Sequence, residues 1–271
     1  MNTQPNTSRL TVRQLDCRNE LGEQAALAVS HRMRILLTEQ DTLNLIFAAA
    51  PSQQEFLAAL CRQPDLDWSR VNAFHMDEYV QLPKEAPQRF GNFLKRHIFD
   101  WVPFRTIHYL NGNTPDLASE CTRYGQLLDE NPVDIVCMGI GENGHIAFND
   151  PHVADFNDPV RVKVVDLDTA CRQQQVHDGC FDVFDAVPTH ALTLTIPALM
   201  RASHVFCMVP GISKALAVYH TLNAMISETH PSTILRGHDD ATLFIDKDSA
   251  SKLHPIHAGS GPHATGFSSL H

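Results

Sequence analysis

Three short apolar runs, at 43–49, 133–138 and 204–209, constrain the fold of this chain most. Each has the length of a strand buried on both faces, as in a parallel sheet. The stretches between them carry helical spacing instead. Leu21, Ala25, Val29, Met33 and Leu36 recur along 20–40, and Leu117, Cys121, Tyr124 and Leu128 form a stripe along 115–129. Further helices are expected at 52–62, where Pro51 suits a first turn, and at 88–100, 168–177 and 211–224. Further strands are expected at 70–76, 106–110, 160–165, 191–196 and 242–245, with a short one at 9–12. This alternation predicts an α/β fold: an open, mostly parallel, Rossmann-like sheet with helices on both faces. Residues 1–253 read as a single domain, because neither a repeat nor a linker interrupts them. From 254 to 271 the chain turns rich in Gly, Ser, His and Pro and reads as a disordered tail.

Composition narrows the function classes. The net charge is −10, and no Lys/Arg cluster exceeds a pair, which argues against a nucleic-acid footprint. No stretch approaches the length of a membrane span, and the N-terminus lacks the apolar core of a signal peptide. Seven cysteines, odd in number and without a CxxC pair, fit a reducing compartment better than a disulfide scaffold. The expectation is a cytoplasmic protein. No Cys/His spacing resembles a ligand set, and His254, His257, His263 and His271 belong to the tail, so neither metal nor cofactor is expected.

Chemistry-bearing residues recur where predicted strands end. Asp77 and Glu78 follow strand 70–76. GIGENGHIAFNDP, residues 139–151, follows strand 133–138. Its Gly139, Gly141 and Gly144 allow close backbone approach, and His145 can move a proton near neutral pH. Pro210 to Lys214 follows strand 204–209, and Pro51-Ser52-Gln53 follows strand 43–49. Carboxyl ends of parallel strands share one rim, so these loops can converge on a carboxylate, a histidine and an anion grip. Singly, each has a plainer reading: a helix cap or solvated loop for the acidic pair, a surface lysine for Lys214.

Four stretches together are more specific: FHMDEYVQLP at 74–83, LNGNTPD at 110–116, GIGENGHIAFNDP at 139–151 and PGISKALAV at 210–218. In content and order they resemble the glucosamine-6-phosphate deaminase family, within the sugar-phosphate isomerase/lactonase superfamily. The resemblance implies an enzyme that converts glucosamine 6-phosphate and water to fructose 6-phosphate and ammonia. It implies Asp77 as the base that moves the C2 proton to C1, and His145 as the acid/base that opens the sugar ring. Asp150, where the family usually has Glu, would tune that histidine, and Asn143 stands where many members have Asp. Lys214 would hold the phosphate, with Ser52, Gly141 and Gly144 as further substrate contacts. Arg172, in the run Arg172-Gln173-Gln174-Gln175, is the nearest candidate for a phosphate-binding arginine. Ala49-Ala50-Pro51-Ser52-Gln53 replaces the family's glycine-rich phosphate loop.

The expected partner is thus a small sugar phosphate, with neither nucleic acid nor membrane. Self-association into a homo-oligomer is permitted by scattered apolar stretches. Two other readings stay open: a 6-phosphogluconolactonase-type hydrolase, and a sugar-phosphate-binding regulator without catalysis.

Overall fold

Ten strands and seven helices make up the computed structural model, which describes residues 9–253. The expected disordered tail at 254–271 lies outside the described residues. The strands are β1 (Thr11–Leu15), β2 (Leu43–Phe47), β3 (Val71–His75), β4 (Asp77–Tyr79), β5 (Thr106–His108), β6 (Ile135–Met138), β7 (Val162–Asp166), β8 (His190–Leu194), β9 (His204–Val209) and β10 (Ala241–Asp246). The helices are α1 (Arg18–Glu39), α2 (Gln54–Cys61), α3 (Phe90–Leu94), α4 (Leu117–Glu130), α5 (Thr169–His177), α6 (Ile196–Met200) and α7 (Ala215–Asn223).

Seven strands form one parallel sheet in the order β1-β10-β9-β6-β2-β3-β5. Its central strands β2, β3 and β6 are buried along their whole length, as strands covered on both faces are. Successive side chains feed opposite faces: Leu45 and Phe47 join one core cluster with α1 and α2, Ile46 the other with α4 and α7. Helices therefore cover both faces, as the alternation predicts.

From β2 the chain builds outward through β3 to β5, then returns to β6 on the other side of β2 and builds toward β9 and β10. The loops after β2 and β6 consequently leave neighbouring strand ends in opposite directions. Such a switch point opens a crevice at the carboxyl rim of the sheet.

One expectation needs correction. Segments 160–165 and 191–196 do not join the parallel sheet. As β7 and β8 they pair antiparallel with each other, and β8 pairs antiparallel with β4, giving a small second sheet. Strand propensity in these segments is real, but pairing partners are set by tertiary contacts that periodicity does not encode. Asp77 and Glu78 are thereby strand residues, opposite Thr193 and Leu192, and not part of a solvated loop.

Candidate active site

The loops after β2, β3, β6 and β9 converge on a cavity of about 570 Å³ at the switch point, a volume suited to a small organic ligand. Ser52, Asp77, Gly141, His145 and Lys214 all line it.

Asp77 and Glu78 are adjacent in sequence and face opposite ways, as strand geometry demands. The Glu78 carboxylate accepts three backbone hydrogen bonds, from Tyr79 (2.9 Å), Phe90 (3.1 Å) and Gly91 (3.1 Å), and lies 3.5 Å from Arg89. It caps the start of α3 and is structural. Asp77 is also buried, but no described residue hydrogen-bonds its carboxylate, which faces the cavity. Burial, and secondly the Glu78 charge, push its pKa well above the carboxylate range. The Asp77 backbone is pinned by His75, whose Nδ1 donates to the Asp77 carbonyl at 2.9 Å while Nε2 accepts from Leu110 N–H at 2.9 Å. Both ring nitrogens are thus committed, and burial holds this histidine neutral, with its pKa lowered to about 4.

The 139–151 loop builds the opposite wall. Gly141 is obligatory, since a Cβ there would sit inside the His145 ring. Gly144 adopts φ +87°, which glycine tolerates at no steric cost. Ala147, at φ 48°, is a strained position held by its surroundings. Asn149 ties the turn down by donating to the Ile146 and Leu194 carbonyls at 2.9 and 2.8 Å. His145 Nδ1 lies 2.8 Å from Asp150 Oδ1, a short contact off the line of a hydrogen bond. Asn143 bridges the pair: its Oδ1 accepts from His145 N–H at 3.0 Å, and its Nδ2 donates to Asp150 Oδ1 at 2.9 Å. Burial pushes the Asp150 pKa upward, but the His145 ring and the Asn143 amide more than offset it, leaving it at about 2.

Lys214 sits in the turn between β9 and α7, 5% exposed, and no described residue hydrogen-bonds its ammonium. Burial lowers its pKa, while the charges of Asp178 and Glu142 work in the other direction. A buried, unpartnered cation facing a cavity is a site for an anion. Ser52 flanks it from the turn that precedes α2.

Two expected substrate contacts, Arg172 and Gly144, are placed elsewhere. The Arg172 guanidinium turns away from the cavity, donates to the Phe184 and Val187 carbonyls at 3.0 and 2.9 Å, and stacks 4.1 Å from the Phe184 ring centre. Helical phase explains this, because Gln174 and Gln175, two and three residues on, take the buried face and line the cavity instead. Gly144 shapes the loop from behind, where its carbonyl accepts from Ser232 N–H at 2.9 Å. Asn143 and Asp150 act behind His145 and do not line the cavity. Gln174, Gln175 and Arg96 also line the cavity and are not assigned there by the sequence, although the unusual glutamine run was an available signal.

A carboxylate, a histidine and a lysine around a cavity at the switch point of an open α/β sheet define a small-molecule enzyme that moves protons on an anionic substrate. Residues 16–244 match the glucosamine-6-phosphate isomerase/6-phosphogluconolactonase family. The chain is 38% identical over 213 residues to a glucosamine-6-phosphate deaminase of Bacillus cereus (strain B4264), covering 79% of this chain and 78% of that one. It is 37% identical, with the same coverage, to a glucosamine-6-phosphate deaminase of Bacillus thuringiensis (strain Al Hakam). Among solved structures, a monomeric glucosamine-6-phosphate deaminase superposes with a TM-score of 0.80 at 30% identity, covering 89% of this chain and 99% of that one. A 6-phosphogluconolactonase of Thermotoga maritima shares the fold, with a TM-score of 0.72 at 20% identity over 88% of this chain and all of that one. The chain belongs to the glucosamine-6-phosphate isomerase/6-phosphogluconolactonase family.

Proposed function

We propose that this protein is a glucosamine-6-phosphate deaminase that isomerises its substrate through proton transfer at Asp77. The observation that carries this reading is the buried, unpartnered Asp77 carboxylate facing the same cavity as His145 and Lys214. Lys214, with the Ser52 turn and the Gln175 side-chain amide, holds the phosphate end. His145, oriented by Asn143 and Asp150, transfers a proton from the C1 hydroxyl to the ring oxygen, which opens the sugar. Asp77 then removes the C2 proton and returns it to C1. The nitrogen at C2 becomes an imine, which water hydrolyses to release ammonia and leave the ketose. A carboxylate with a raised pKa is a stronger base than one in water, which suits abstraction from carbon.

A lactonase needs an activated water and has no use for a base aimed at C2. The same fold serves both chemistries, so the site decides. The seven cysteines are all unpaired, which supports a cytosolic location.

The test is incubation with glucosamine 6-phosphate, reading ammonia and fructose 6-phosphate together, with 6-phosphogluconolactone as the competing substrate. Equimolar ammonia and ketose phosphate are expected, and Asp77→Asn should lower kcat by about 10²–10⁴-fold. Lactone hydrolysis without deamination, or full activity in Asp77→Asn, would sink the reading.

A further inference from the structure

Behind His145 the fold assembles three donors that the sequence keeps far apart. His145, Asp150 and Cys171, all buried, place one nitrogen, one oxygen and one sulfur within 4.8 Å of one another. Cys171 comes from α5, whose first turn is fixed by Asp168 accepting from Cys171 N–H at 2.6 Å. The three already face one another: His145 Nδ1 lies 2.8 Å from Asp150 Oδ1, and the Cys171 thiol donates to the Asp150 carboxylate.

We propose that His145, Asp150 and Cys171 form a binding site for a thiophilic divalent cation, zinc in the first place, and that its occupation blocks the enzyme. The donor set selects the metal. One imidazole, one carboxylate and one thiolate suit zinc, whereas magnesium and calcium take oxygen ligands. Zinc bonds span about 2.0–2.3 Å, so donors around one tetrahedral ion lie about 3.3–3.8 Å apart, a spacing the cluster reaches with small side-chain shifts. His145 lines the cavity, which gives the ion an entry path and leaves solvent or a cavity ligand to complete its coordination. The ion displaces the Cys171 thiol proton, so binding strengthens as pH rises. Zinc ligation through Nδ1 and Asp150 breaks the couple that orients His145, and the proton carrier is lost. The proposal rests on this cluster and not on the identity of the substrate.

The experiment is equilibrium dialysis of the full, reduced chain against zinc, with cobalt as a spectroscopic substitute. One zinc per chain is expected at this cluster, with a thiolate-to-cobalt charge-transfer band. Cys171→Ser should weaken binding at least tenfold and abolish the band. In the unaltered protein, zinc should protect His145 from modification by diethyl pyrocarbonate, and a chelator should restore reactivity. That measurement needs no variant to fold. Absence of zinc binding, an unchanged band in Cys171→Ser, or an unprotected His145 would each overturn the site. If zinc binds as expected while glucosamine 6-phosphate is not turned over, the metal site stands and the substrate assignment falls.

Discussion

Asp77 and Asp150 are the same side chain, both buried, one lining the cavity and the other behind the His145 that lines it, yet their chemistry is driven in opposite directions. Asp150 has the His145 ring and the Asn143 amide beside it, and stays ionised down to about pH 2. Asp77 has no hydrogen-bonding partner among the described residues, and burial raises its pKa. The contrast extends to the other charges. Glu78 is held by three backbone amides and Arg172 by two backbone carbonyls, and both point into the structure, whereas no described residue hydrogen-bonds the Lys214 ammonium, which points into the cavity. Satisfied charges here hold the fold, and unsatisfied ones await a ligand. Natural proteins leave buried charges unpaired only at a cost in stability, so such groups mark function.

The largest effect that would break this division is at Lys214. Replacing it with Met keeps the length and removes the charge. If the ammonium serves the substrate's phosphate, KM should rise by about 10–10²-fold, the worth of a charged hydrogen bond, while the melting temperature holds or rises. A large loss of stability with unchanged KM would place Lys214 among the structural charges.

Asp150 should respond in the opposite way. Its folded pKa of about 2 lies below the ordinary 3.8, so its stabilising contribution is complete above pH 3.8 and is lost as pH falls through 2. Asp150→Asn should therefore cost about 2 kcal/mol at neutral pH, with the difference from the unaltered protein shrinking toward pH 2. Urea denaturation at pH 7 and at successive values below 4 measures both. A cost that does not change with pH would mean that packing, and not the charge, holds Asp150 in place.

Much of this division is invisible in the sequence, for identifiable reasons. The parallel sheet was legible because 43–47, 135–138 and 204–209 are predominantly apolar runs flanked by helical spacing. The rim was legible because strand ends in such a sheet share a side, which brought Asp77, His145, Lys214 and Ser52 together. The small second sheet was not, because β7 and β8 read as ordinary strands and nothing local names their partners. The split between Asp77 and Glu78 turns on a strand of three residues, too short to announce its period. Arg172 failed as a phosphate ligand through helical phase alone: the cavity face of α5 falls on Gln174 and Gln175. Cys171, about one helical turn before them, reads as one more small hydrophobe until the fold sets it beside Asp150.

The smallest effect is the most discriminating. Since the folded pKa of Asp77 is raised, the fold favours its protonated form. The stability this contributes is complete below the unfolded value of 3.8 and is lost as pH rises through the folded pKa. Above the folded pKa the ionised carboxylate is a desolvated charge beside Glu78, and Asp77→Asn removes that charge while keeping the shape. The variant should be more stable than the parent by about 1 kcal/mol at pH 7, within the range typical of relieved active-site strain, and no more stable near pH 3. Thermal melts at the two pH values decide the matter. A gain at pH 7 that persists in acid would mean that shape rather than charge is at issue. No gain at pH 7 would mean that the cavity's water solvates Asp77 as fully as bulk solvent, and the two carboxylates would then differ only in their neighbours.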